Sequence, residues 1–148
     1  MFDLFVAPVR CPHCGDEIPE AQIQTHIRGE SADGSELRIG AEIEPYFLTT
    51  DQIVRSGYAL VNPPAPDDPI RLLDIWICRH CQTEQWALVV IAGGRVKRIE
   101  AVTLDRETLE SSNFISDLDA DLLADSLRAP DDNSSASAVD VLRQRLPP

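Results

Sequence analysis

Lysine occurs once in this sequence of 148 residues, and 13 Lys and Arg stand against 25 Asp and Glu, a net charge of −12. A field of that sign repels polyphosphate and works against broad backbone binding to nucleic acid. Long apolar runs are missing as well. No stretch approaches the ~20 residues of a membrane span, and Asp3 interrupts a signal-like start, so the expected location is the cytoplasm. There is no Gly-rich phosphate loop, since Gly93-Gly94 stands alone as a turn, and there is no Gly-x-Ser-x-Gly elbow. These absences leave no small-molecule substrate evident and no catalytic residue to name. Apolar residues at 43% and charged residues at 26% nevertheless describe an ordinary folded chain, long enough for one domain.

What the sequence does have is four cysteines in two pairs, Cys11-Pro12-His13-Cys14-Gly15 and Cys78-Arg79-His80-Cys81. Two thiolates separated by two residues turn toward one ion on a tight knuckle, and two knuckles complete the tetrahedral four-thiolate shell that Zn²⁺ prefers. Gly15 fits such a knuckle because glycine accepts positive φ. A rubredoxin-like iron centre and a redox dithiol pair use the same residues, and a disulfide framework is the weaker reading without a secretory signal. With all four positions thiolate the shell is closed, which points to a structural ion, one per chain, and leaves no cysteine free as a nucleophile. His13 and His80 each precede the second cysteine of a knuckle. They read as alternative ligands or a proton-transfer pair, or more simply as solvent-facing imidazoles, with Arg79 offsetting the charge of the thiolates. His26 reads as an outward-facing strand residue.

The two knuckles resemble those of the zinc-ribbon proteins, a broad class built on paired CPxCG-type turns at the tips of β-hairpins. CPHCG follows that pattern; CRHCQ lacks its Pro and Gly, and the stretch between the two is longer than in a minimal ribbon. The resemblance implies a mainly β (α+β) fold, an antiparallel zinc-ribbon-type sheet with structural Zn²⁺ at Cys11, Cys14, Cys78 and Cys81. It implies little about activity.

Hydropathy patterning divides the chain. Residues 1–104 carry 9 basic and 15 acidic residues and read as the zinc-ribbon-like β domain; residues 105–148 carry 4 and 10 and read as an acidic helical extension and tail. Residues 4–10 lead into the first knuckle as a strand. Period-two alternation over Ala21–Arg28 and again over Glu36–Glu44, with turn residues between, predicts a hairpin with one apolar face. A short helix is expected over Thr50–Arg55, capped by Thr49 or Thr50 and ended at Gly57. The prolines of 62–69 predict an extended loop. Strands are expected at Ile70–Ile77 and Trp86–Ala92, then a Gly93-Gly94 turn into a strand over Arg95–Leu104. Trp86–Ile91 is apolar on both faces, so something must cover both: the hairpin, the C-terminal helix or a partner. Arg95, Lys97 and Arg98 form a local basic cluster, read as a charged hairpin edge.

Ser116 followed by Asp119 marks a helix start, with Leu118, Leu122, Leu123 and Leu127 as its apolar stripe and Asp117, Asp119, Asp121 and Asp125 opposite. Residues 129–138 read as a linker. Ser137 is expected to cap a last helix whose Val139, Leu142 and Leu146 form a stripe suited to another chain. The expectation for function is a zinc-stabilised, non-catalytic protein-interaction module, an accessory subunit of a larger bacterial-type assembly or an inhibitor, with a protein partner and no membrane. A nucleic-acid-binding ribbon and a rubredoxin-like electron carrier are the alternatives.

Overall fold

In the computed structural model, which describes residues 1–129 and 136–148, the doubly apolar strand lies at the centre of three layers. The first layer is a sheet of β1 (Asp3–Arg10), β2 (Glu17–Thr25) and β3 (Glu36–Leu37) in the order β2-β1-β3. The second holds β4 (Tyr58–Leu60), β5 (Ile70–Ile77), β6 (Glu84–Ala92), β7 (Arg95–Val102) and β8 (Phe114–Ser116) in the order β4-β8-β5-β6-β7. The third contains α2 (Arg106–Glu110), α3 (Asp117–Leu127) and α4 (Ala138–Arg145), while α1 (Thr50–Arg55) joins the sheets. The chain is α+β, as its patterning implies. The acidic stretch contributes β8 to the central sheet as well as the helices.

β6 shows why the layers stack. Ala87, Val89 and Ile91 point into a core shared with Phe5, Ile23 and Leu72, while Leu88 and Val90 point into a second core with Leu109, Ala120, Ala124 and Leu142. Each fully buried large aliphatic side chain contributes about 1.5–3 kcal/mol, so a strand with two such faces is stable only as the middle layer. The cover comes from within the chain on both sides. The helix at Thr50–Arg55 forms as expected, with the Thr49 side chain accepting from Gln52 N–H and Gly57 taking φ +113° beyond its end.

The expected hairpin of residues 21–44 does not form. β2 pairs antiparallel with β1, and β3 pairs parallel with the other edge of β1. The cause is Asp3, fully buried at the start of β1. It accepts from Arg28 Nε at 2.7 Å and Arg28 Nη2 at 2.8 Å, and from the backbone N–H groups of Asp33 and Ser35 at 3.2 and 3.0 Å. Burial works against the charge of Asp3. The guanidinium and the backbone donors outweigh it, holding the carboxyl below its ordinary value. That carboxylate draws the 28–35 turn around the end of β1, so the chain emerges on the far side. Alternation then fails at Ile39, which is exposed, because Gly40 takes φ +91° and the chain leaves for the second sheet. Gly40 N–H donates to Val96 O at 2.7 Å, Val96 N–H to Ala41 O at 2.9 Å, and Ile43 N–H to Gly94 O at 2.8 Å. Arg95 of the basic cluster clamps this crossing, donating to Gly40 O and pairing with Glu42.

Two further expectations are corrected. On α3 the buried face is Ala120 and Ala124 with Leu123 and Leu127 alongside, while Leu118 and Leu122 are 68% and 63% exposed. Small side chains admit α4 closely, and the four-leucine stripe is split between two faces. The stripe of α4 is covered by this chain: Val139, Leu142 and Leu146 are buried in the second core beside Leu109 and Ala124. Ser137 caps that helix as expected, accepting from Asp140 N–H at 3.2 Å. The linker reading of 129–138 falls largely on residues 130–135, outside the described residues.

Candidate metal centre

Each knuckle sits at the tip of a hairpin, β1–β2 or β5–β6, and the two share one hydrogen-bond plan. Cys11 N–H donates to Asp16 O at 3.0 Å, and Gly15 N–H to Cys11 O at 2.9 Å. Cys78 N–H donates to Thr83 O at 3.0 Å, and Gln82 N–H to Cys78 O at 2.8 Å. The turn demands a left-handed residue after its second cysteine. Gly15 supplies it at φ +77°, and Gln82 at φ +60° is the one non-glycine residue with positive φ among the described residues. A non-glycine residue there costs about 1 kcal/mol. The Gln82 side chain offsets part of that by donating to Arg79 O at 2.8 Å. The missing glycine of the second motif therefore changes the strain of the knuckle and leaves its shape intact.

The four thiols meet where the two tips cross. Cys11 Sγ lies 3.8 Å from Cys81 Sγ, Cys14 Sγ lies 3.8 Å from Cys78 Sγ, and all four fall within 4.8 Å of one another. A disulfide needs sulfurs at ~2.05 Å, so these are free thiols. A tetrahedral ion with metal–sulfur bonds of ~2.3 Å needs sulfurs ~3.8 Å apart, which is the separation found across the knuckles. The cysteines are positioned to bind a metal ion. Cys11 and Cys78 are buried, and Cys14 and Cys81 reach the surface.

Electrostatics says the same. A hydrogen bond from Thr83 at 3.0 Å, with smaller help from its backbone N–H, Cys78 and His13, lowers the Cys81 thiol to about 6. The Asp16 backbone N–H favours the Cys14 thiolate, but burial and the other three thiols outweigh it and push that thiol up to about 12. Four thiolates this close require a cation among them.

Around the shell, the second knuckle clasps the first hairpin. Arg79 donates to Glu20 O at 2.8 Å, and His80 Nδ1 lies 3.2 Å from Asp16 Oδ2. His13 and His80 are exposed, and the metal-holding group contains cysteines alone. His26 is exposed at the end of β2, edge-on to Phe2. Sequence reasoning missed a buried polar chain between the sheets, Thr25 Oγ1 to Tyr58 Oη at 2.8 Å and Tyr58 Oη donating to Asp74 Oδ2 at 2.6 Å. The signal was present: Asp74 shares strand parity with the buried Leu72 and Trp76. None of the described helices is long and apolar enough to cross a membrane. No protein-family model, no curated protein and no solved structure matches the chain.

Proposed function

We propose that this chain is a zinc-stabilised, non-catalytic protein-interaction module, an accessory subunit of a larger assembly or an inhibitor of another protein. The observation that carries the reading is the thiol cluster: four sulfurs within 4.8 Å of one another, two of the separations 3.8 Å, contributed two by each sheet. Cys11, Cys14, Cys78 and Cys81 would hold Zn²⁺, which supplies there a staple between two hairpins. With thiolate at every corner no position remains for water or substrate, so the chemistry favours structure over catalysis. The net acidic character of the chain, −12 overall, suits a basic protein partner better than nucleic acid. The same shell accommodates iron, which makes a rubredoxin-like carrier the second reading; a visible thiolate-to-iron absorption band separates it from the colourless zinc protein.

The test is native mass spectrometry of the tagged chain drawn gently from its own host. One zinc per chain in a stoichiometric complex with another protein is the expected result; a zinc-loaded monomer at cellular concentration overturns the subunit reading. Binding of a structural ion is worth ~10–16 kcal/mol in small zinc modules, so Cys78→Ser is expected to abolish the cooperative melt. A variant melting near the parent removes the structural role of the metal.

A further inference from the structure

A groove of about 790 Å³ opens beside the thiol cluster, between the edge strand β2 and the upper half of β5. It exists because β8 is short. β8 pairs with Leu72 and Leu73 and then turns into α3, leaving Asp74–Ile77 with β6 as neighbour on one side only. Lower down, Arg71 meets β8 through both backbone groups: Asn113 N–H donates to Arg71 O at 3.0 Å, and Arg71 N–H to Asn113 Oδ1 at 2.8 Å. Alternation along the strand sends the N–H and C=O of Ile75 to the same side, into the groove, where no strand among the described residues receives them.

The floor is a carboxyl. Asp74 is 5% exposed and lines the groove, and its hydrogen bond comes from Tyr58 to Oδ2. Among the described residues nothing donates to Oδ1. No sealed side-chain oxygen there lacks a partner, so Oδ1 owns part of the small exposure that opens on the groove. Asp117 and Asp119 stand on the rim from the first turn of α3, with the exposed aliphatic side chains of Ile77 and Leu118 beside them. Of the basic groups lining it, Arg79 is already engaged with Glu20 O, and His26 is the other.

We propose that this groove binds an extended, cationic segment of a partner protein, which adds a strand to the free edge of β5 and seats a Lys or Arg head on Asp74, Asp117 and Asp119. Strand addition takes its affinity from main-chain bonds and its selectivity from alternate side chains. Here Ile77 and Leu118 would receive an aliphatic side chain, and Asp117, Asp119 and the ionised form of Asp74 would accept from the cation. The proposal deepens the interaction-module reading and rests on it.

The test uses the zinc-loaded, ¹⁵N-labelled full chain, its metal content and melting measured first, titrated at about 0.15 M salt with a capped nonapeptide of alternating Arg and Val. The expected result is amide shifts confined to residues 18–26, 74–77 and 116–119, with binding at least about tenfold tighter than for the Glu–Val counterpart. Asp117→Asn with Asp119→Asn is expected to weaken binding about fivefold or more. Asp67→Asn with Asp68→Asn removes the same charge from the proline loop and is expected to change binding less than about twofold. Equal weakening by both pairs would mean unspecific attraction and overturns the proposal. So do shifts that are absent or lie elsewhere, and so does a peptide-free spectrum whose groove amides move with protein concentration, which would give the groove to a second copy. A chain without zinc, or without a cooperative melt, fails the module reading; a zinc-loaded, folded chain that ignores the peptide fails the groove alone.

Discussion

Replacing Asp74 by asparagine leaves the shape of the side chain unchanged and removes one ionisation from the space between the sheets. Burial raises this carboxyl from its ordinary 3.8 to about 7; the hydrogen bond from Tyr58 opposes the rise, and the charge of Asp119 adds to it. Burial also raises the Tyr58 phenol, which stays a donor. Over roughly three pH units the folded chain keeps a proton that the unfolded chain has released. Each unit is worth ~1.4 kcal/mol. The contribution of protonated Asp74 is therefore complete below about pH 4, and about 4 kcal/mol of it is lost as pH rises to 7, where the loss levels off. Between about pH 5.5 and 8 the wild type is expected to lose about 2 kcal/mol that Asp74→Asn keeps, or about 4–8 °C in melting temperature for a chain of this length. Melting both zinc-loaded proteins across that range by circular dichroism isolates the contribution of Asp74, because the effect of acid on metal binding is common to both. Parallel curves would refute the reasoning, for they would mean the carboxyl is already ionised at its usual pH inside the fold.

Other consequences are as direct. Gln82→Gly relieves the left-handed residue of the second knuckle and is expected to stabilise the metal-loaded chain by about 0.5–1 kcal/mol in chemical denaturation; destabilisation would mean that the Gln82–Arg79 bond outweighs the strain. Leu142→Ala opens a cavity in the second core and is expected to cost about 3 kcal/mol, whereas an unchanged midpoint would detach α4 from that core. Asp3→Ala leaves Arg28 and two backbone donors without their acceptor and is expected to cost about 3 kcal/mol near neutral pH. Since the Asp3 carboxyl is held below its ordinary value, its contribution is present above the usual carboxylate range and is lost as pH falls through the lowered value, so the gap between variant and parent should close in acid.

Local patterning carried much of the fold. The second knuckle and the Gly93-Gly94 turn located β5, β6 and β7, the Thr49 cap located α1, and the two-sided apolarity of β6 announced a middle layer before its covers were known. The thiol cluster was legible because the spacing within a Cys-x-x-Cys pair is itself a geometry. What could not be read were the partners of each strand. Nothing local in Glu36–Glu44 says that Asp3, some thirty residues earlier, reroutes the turn before it, and a two-residue β3 followed by Gly40 looks on paper like half a hairpin. The leucines of α3 misled for a related reason. Hydrophobicity ranked them as the buried face, but close approach of α4 selects the smaller Ala120 and Ala124. Asp74 escaped attention because one carboxylate among 25 acidic residues carries no mark, although its register beside Leu72 and Trp76 placed it indoors.

The position of β8 bears on how the chain is made. A strand drawn from residues 114–116 lies between β4 and β5, whose own residues end at 60 and begin at 70. Sequence neighbours are thus held apart by a late arrival, and on a translating ribosome the central sheet stays unfinished until residue 116 has emerged. Until then the edges of β4 and β5 are open to each other and to other nascent chains. Non-local pairing of this kind slows folding and lengthens the exposure of sticky edges. The first hairpin, β1–β2, needs only its first 25 residues, but its two thiols wait for Cys78 and Cys81 before four can close around an ion. Metal capture during synthesis would therefore lock the two hairpin tips together before β8 arrives to close the sheet.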